Sequence, residues 1–275
     1  MIHIICALKC EAAPLLKHFK LEHGSKKGLF SNYINDDNKI TLTLSGIGKL
    51  NAAAATMHAI KQFEARYNDV WLNIGIAGHG SMDVGSTVLA NRIRDAGSGS
   101  LWFPQILIDL NIPSCGLITS DTPSSSYGDE MIDMEAAGYY ASAGRAGTSE
   151  LIHCLKIISD NEHSPPDRLR GKHISALIEG NIHAIEEIMD RLRKLSRDLP
   201  DSAELPDYYD KFIDNWHFTE YQKIRLRFLL NRWRVMLPGQ NPLIECQSDL
   251  KKASEVLHYL GYKLDTVPIY YPEPG

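Results

Sequence analysis

The chain has 275 residues, 44% hydrophobic and 23% charged, enough for a sizeable core in one large domain or one domain with an appendage. A net charge of -5 and a pI near 6.1 argue against a broad nucleic-acid footprint. No apolar run approaches membrane-spanning length, and the scattered cysteines (Cys6, Cys10, Cys115, Cys154, Cys246) lack CxxC spacing, so they read as reduced thiols of a cytoplasmic protein.

Met1 to Leu8 is apolar but lacks a basic n-region and soon meets Lys9, Cys10 and Glu11. It reads as a buried strand and not a signal peptide. Glu11 to Phe19 follows as a helix, with Leu15, Leu16 and Phe19 at helical spacing. Lys39 to Leu44 is a strand leading into Ser45-Gly46-Ile47-Gly48-Lys49, and an Ala-rich helix runs from Asn51 to Phe63. Asp69 to Ile74 is a strand ending in Gly75-Ile76-Ala77-Gly78-His79-Gly80. Val84 to Ala90 is a turn plus strand, and Ala96 to Ser100 a Gly/Ser loop. Cys115 to Thr119 reads as a strand, and Asp121 to Tyr127 as a turn region. Asp133-Met134-Glu135-Ala136-Ala137-Gly138 starts a helix, and His153 to Ser159 is a buried strand ending at Asp160. Strands alternating with helices predict a central sheet covered on both faces.

Beyond Asp160 the texture changes. Glu162 to Lys172 is polar, and Asn181 to Arg197 is an amphipathic helix with Ile182, Ile185, Met189, Leu192 and Leu195 on one face. Leu199-Pro200-Asp201-Ser202 marks a boundary, which gives one domain over residues 1–198 and a mostly helical extension over 199–275. In the extension, Tyr208 to Met236 carries an almost continuous helical pattern rich in aromatics, broken at Gly239-Gln240-Asn241-Pro242. Ser248 caps a last helix to Leu260, and the tail from Pro268 is Pro-rich and extended.

Gly46-Ile47-Gly48 suggests a dinucleotide fingerprint, but Asn51 stands where the third glycine belongs; a close-packed turn is the better reading. P-loop, HExxH and GxSxG motifs are absent. Glu11 and Asp160 each sit at the end of a buried strand, where ligands of α/β sheets bind. Their bland alternatives are a first-turn Glu and a turn or N-cap Asp. His79 between glycines reads as a loop histidine, since no metal constellation supports it. Lys223, Arg227 and Arg234 form a basic face opposite Leu226, Leu229, Leu230 and Trp233, the pattern of a solvated face over a packed one.

Taken in order, Ala7-Leu8 with Glu11, Ser45 to Lys49, Asn73-Ile74-Gly75 with Ala77-Gly78, Val84-Gly85, Met134 to Ala137 and Ile158-Ser159-Asp160 resemble the nucleoside phosphorylase and nucleosidase superfamily. The nearest match is methylthioadenosine/S-adenosylhomocysteine nucleosidase. The resemblance spans residues 1 to about 195 and implies a three-layer α/β sandwich with a central twisted mixed sheet, with residues beyond about 200 outside the family core. It implies that Glu135 holds the ribose hydroxyls over Met134, that Asp160 protonates the departing purine, and that Glu11 activates water. Ile47, Ala77 and Gly78 would line the substrate site, with no metal or organic cofactor, and the enzyme would form a homodimer.

Glycosidic cleavage passes through an oxocarbenium-like state and needs an acid for the leaving group and a base for water. An ordinary Asp has a pKa of ~3.9, so holding its proton at pH 7 costs about 4 kcal/mol; burial can supply that. In phosphorylases of this superfamily a phosphate-binding Arg stands at the Glu11 position, a second at Asn73 and a phosphate-binding Ser at Ile76. An acidic Glu11 repels phosphate, which favours hydrolysis over phosphorolysis. Thr122-Pro123 replaces the stacking Phe of the family, so Trp102, Phe103 or Tyr127 is the candidate ring. The rival reading from another class is a non-catalytic nucleoside-binding or scaffold protein that works through its basic helix over 221–236.

Overall fold

In the computed structural model the described residues are 1–24, 28–109, 111–123, 127–165, 170–199, 205–246 and 250–267. Most of the expected boundary segment 199–202, the Ser248 cap and the tail from Pro268 lie outside them. The chain divides into two compact units, Met1–Asp201 and Ser202–Gly275.

Unit 1 is built on one mixed sheet. Strand β1 (Ile2–Cys6) leads to helix α1 (Lys9–His18). The short β2 (Glu22–His23) and β3 (Asn32–Asn35) precede β4 (Ile40–Leu44) and helix α2 (Lys49–Gln62). Then come β5 (Val70–Gly78), β6 (Thr87–Asp95), β7 (Leu101–Trp102), β8 (Ser114–Thr119) and β9 (Met131–Asp133). Helix α3 (Ala136–Ala143), β10 (Ile152–Asp160), α4 (Gly171–Gly180) and α5 (Ile182–Asp198) complete the unit.

β1 lies between β4 and β5, parallel to both. β10 runs parallel to β5 and antiparallel to β6; β8 is parallel to β6, and β9 to β8. β9 then returns to β5 through a single antiparallel pair, Gly78 with Ile132. Five strands thus close a ring within a sheet whose other edge, through β4, β3 and β2, stays open. Ring closure is what brings the ends of β5, β9 and β10 together.

The central strands are near-continuous apolar runs because both faces are covered. Alternate residues serve opposite layers. Ile2, Ile4, Leu72, Ile74, Leu155 and Ile157 pack with Leu15 of α1, Ile178 of α4 and Ile185 of α5. Ile5, Trp71, Cys154 and Ile158 pack with Ala52 and Ala59 of α2 and Ala137 and Tyr139 of α3. The three-layer α/β sandwich is therefore the observed architecture, with the ring closure added.

Helix α4 is an element the sequence reading did not assign, between the polar stretch Glu162 to Lys172 and the helix from Asn181. It packs on α1 and answers a defect there. Pro14 inside α1 has no N–H for the Cys10 carbonyl one turn earlier, and the Ser175 hydroxyl of α4 donates to that oxygen at 2.7 Å. The Asp133 stretch also differs: Asp133 ends β9, and α3 begins only at Ala136.

Unit 2 contains α6 (Tyr209–Asn215), α7 (Glu220–Met236), α8 (Pro242–Cys246) and α9 (Ala253–Asp265). The helical pattern over 208–236 is thus two helices. A reciprocal cap makes the break: Gln222 N–H donates to Thr219 Oγ1 at 3.3 Å, and Thr219 N–H donates to Gln222 Oε1 at 2.9 Å. Leu226, Leu229, Leu230 and Trp233 of α7 pack with Phe212, Val256 and Leu260 in a core of their own. Arg225, Arg227 and Arg234 stay exposed on the other side of α7. No helix among the described residues is long and apolar enough to cross a membrane.

α2 and α3 touch where Gly138 meets the start of α2. A Cβ on Gly138 would fall 1.9 Å from the Lys49 carbonyl oxygen, which is backbone and cannot swing aside. Gly138→Ala should therefore destabilise unit 1 by roughly 3 kcal/mol or more, as overpacking does, read as a fall in urea midpoint. Gly144→Ala, at the end of the same helix with its nearest neighbour at 3.3 Å, is the milder control.

Candidate active site

A cavity of about 380 Å³ opens at the carboxyl ends of β1, β5, β9 and β10. Its lining includes Ala7, Leu8, Glu11, Ile47, Ala77, Gly78, Met134, Glu135 and Asp160. Thr122, Pro123, Ile76, Ile132, Asp133 and Ser159 also line it, and among the described residues none of the lining side chains is aromatic.

Glu11 folds back over the start of its own helix. Its Oε2 accepts from Leu8 N–H at 2.8 Å and Ala7 N–H at 3.1 Å; its Oε1 accepts from Ile76 N–H of β5 at 3.0 Å. Burial pushes its pKa up, against the pull of those amides and of Lys156. Gly75 makes the seat possible, because a Cβ there would stand 2.8 Å from Glu11 Oε1. Glu11 thus both caps its own helix and lies on the cavity wall.

Glu135 reaches the turn before α2, where its Oε1 accepts from Gly48 N–H at 2.8 Å. Gly46 and Gly48 have φ of 79° and 102°, so the turn needs glycine. The Gly48 amide of this close-packed turn is therefore taken by the protein's own carboxylate. Burial raises the pKa of Glu135, opposed by Lys156 and reinforced by Asp133.

Lys156 and Asp133 lie beneath. Lys156 Nζ is 2.8 Å from Asp133 Oδ2, and both side chains are at most 1% exposed. Thr119 Oγ1 donates to Asp133 Oδ1 at 2.8 Å, and Ala136 N–H donates to Oδ2 at 2.9 Å. Burial works to discharge Lys156, but the Asp133 and Glu135 carboxylates outweigh it and hold the ammonium well above its usual range.

Asp160 ends β10, and its side chain receives two hydroxyls: Tyr127 Oη donates to Oδ2 and Ser159 Oγ to Oδ1. The backbone clamps this corner, with His79 N–H on the Asp160 carbonyl and Gly80 N–H on the Gly128 carbonyl, both at 3.1 Å. His79 is buried, and its Nδ1 accepts from Ser81 and Met82 N–H groups at 3.1 Å. It organises the turn. Among the described residues no cluster of three acidic, His or Cys side chains is placed to hold a metal.

Of the residues singled out in the sequence, Glu11, Ile47, Ala77, Gly78, Met134, Glu135 and Asp160 line the cavity together. Tyr127 joins them through Asp160 and not through the wall. Phe103 is 57% exposed and lies outside the lining. Sequence reasoning missed Lys156. Its signal was present as a lone charge inside the apolar run Leu155 to Ile158, since an unpaired Lys is almost never fully buried.

Residues 1–120 match the phosphorylase superfamily. A search of curated proteins finds no significant match. Among solved structures, Arabidopsis thaliana 5′-methylthioadenosine nucleosidase in apo form superposes with a TM-score of 0.57 at 15% identity, covering 70% of this chain and 95% of that one. The 5′-methylthioadenosine/S-adenosylhomocysteine nucleosidase of Helicobacter pylori gives 0.54 at 14%, covering 69% and 97%. The futalosine hydrolase of Helicobacter pylori strain 26695 gives the same values. The resemblance to the nucleoside phosphorylase and nucleosidase superfamily thus holds in sequence over residues 1–120 and in fold across the length of these enzymes.

Two outcomes test the electrostatics. Lys156→Met leaves the Asp133 carboxylate buried without its ammonium, which should cost about 3–5 kcal/mol in unfolding free energy. Glu135 has a folded-state pKa above its unfolded value, so the folded chain binds the extra proton and stability is lost as pH rises through that window from about 4.5. Glu135→Gln lacks that loss. Its Tm measured against wild type should climb as pH rises from about 4.5; a flat difference would contradict the assignment.

Proposed function

We propose that unit 1 hydrolyses the N-glycosidic bond of a purine nucleoside or thio-nucleoside and releases the free base. The observation that carries this reading is Glu11: a buried carboxylate, fixed by three backbone amides, on the cavity wall at the position where related phosphorylases bind phosphate through Arg. A second anion is repelled from such a place, whereas a water can give it a proton. Its raised pKa brings the base nearer to working pH, which favours proton transfer.

The remaining roles follow from the wall. Glu135 presents a carboxylate that can accept from two neighbouring ribose hydroxyls while Gly48 N–H fixes its rotamer. Met134 packs under the sugar. Asp160 gives a proton to the leaving base, so that the bond electrons depart on a neutral ring. Glu11 removes a proton from the water that attacks the anomeric carbon. The products are a free base and a ribose with a new hydroxyl. The residues do this without metal or organic cofactor. Nucleosidases for 5′-methylthioadenosine and S-adenosylhomocysteine share the fold, so small-molecule nucleosides of that kind are the first substrates to try. In this reading the enzyme is cytoplasmic, as its scattered cysteines without CxxC spacing suggest, and a homodimer, as the family resemblance implies.

Each acid or base role is worth roughly 10²–10⁴ in rate, so Glu11→Gln and Asp160→Asn should each lower kcat by at least about 10²-fold. The assay is free-base release from methylthioadenosine, S-adenosylhomocysteine, adenosine and inosine, with and without phosphate. Release should be independent of phosphate. A phosphate-stimulated rate with ribose-1-phosphate as product would make the protein a phosphorylase, and wild-type rates in both variants would remove these residues from the chemistry.

A further inference from the structure

We infer that the Tyr127 hydroxyl competes with the leaving base for Asp160; this rests on the nucleosidase reading of the site. Of the two Asp160 oxygens, Oδ1 is held by Ser159, next to it in the chain. Oδ2 is the oxygen beside Gly78 on the cavity wall, where a Cβ on residue 78 would come within 2.7 Å of it. The Tyr127 hydroxyl donates to that oxygen. A base that exchanges a proton with Asp160 meets a carboxylate whose two oxygens already accept from hydroxyls.

The fit around the phenol is built into the backbone. A Cβ on Gly78 would lie 2.6 Å from Tyr127 Cε1, so only glycine leaves room for ring and carboxylate together. Two residues on, a Cβ on Gly80 would lie 2.7 Å from the Gly128 carbonyl oxygen, which accepts from Gly80 N–H. The Gly78-His79-Gly80 segment is therefore shaped on both glycines to receive the chain at 127–128. Among the described residues the cavity lining holds no aromatic side chain, and the Tyr127 ring meets the acid through its hydroxyl.

An ionised carboxylate only accepts hydrogen bonds. The phenol thus occupies acceptor capacity of Asp160 that a bound base would otherwise use. A base that takes this place exchanges the phenol–carboxylate bond for its own contacts, so Tyr127 lowers the affinity of every such base by one common factor.

The test is calorimetric titration of adenine and of hypoxanthine into wild-type protein and Tyr127→Phe, which keeps the ring and removes the hydroxyl. The variant should bind at least one of them about tenfold more tightly, the scale of a hydrogen bond to a charged group. Equal or weaker binding of both overturns the proposal. Wild-type protein should also show a tyrosine ultraviolet difference band on adding the bound base, and its absence overturns the proposal without reference to any variant. If bases bind and the difference band appears but nucleosides are never cleaved, the hydrolase reading fails while the competition stands. If nucleosides are cleaved and Tyr127→Phe binds no more tightly, the reverse holds. Binding of neither base to either protein overturns the competition.

Discussion

The constraint that the rest of unit 1 depends on is a buried ion pair. Lys156 projects from a central strand buried on both faces, and Asp133 meets it at 2.8 Å from the neighbouring arm of the closed ring. Two charges out of water cost several kcal/mol each unless they are well paired and hydrogen-bonded. Thr119 and the Ala136 amide complete the pairing on the Asp133 side. Once this pair is satisfied, β9 is tied to β10, and the next turn of chain must deliver Glu135 above it.

That arrangement explains how so many acidic groups share one small cavity. Glu11 is held by three amides, Glu135 by one amide and the field of Lys156, and Asp160 by two hydroxyls. Each oxygen is supplied by a different local device, so no single positive cluster is needed. Glycine does much of the positioning. Gly75 clears Glu11, Gly78 clears Asp160 with Tyr127, and Gly138 lets α3 approach α2 closely enough for Glu135 to reach Gly48.

Unit 2 obeys a simpler logic. Its core is aromatic and aliphatic, and its helices are punctuated by local caps. The apolar stripe of α7 is packed within the unit, and its arginines face outward, two of them stacked on Phe228 and one on Tyr209. Such stacking covers apolar surface with cationic side chains and keeps a face rich in both soluble.

The sequence alone determined the alternation of strands and helices, because periodicity and glycine punctuation are local. It also placed Glu11 and Asp160 at strand ends and Glu135 at the start of a helix, and the order of short motifs carried the family resemblance. It did not reveal that the helical run over 208–236 is broken, since the Thr219–Gln222 cap is two ordinary residues until their side chains meet. It passed over α4 because a polar approach hid a helix whose purpose is to cover α1 and reach the Cys10 carbonyl. What only the tertiary structure decided was the ring closure, the Lys156–Asp133 pair and the contact of Tyr127 with Asp160. Each joins residues at least 23 positions apart, for instance Asp133 and Lys156, and is set by strand order and register, which no local pattern encodes.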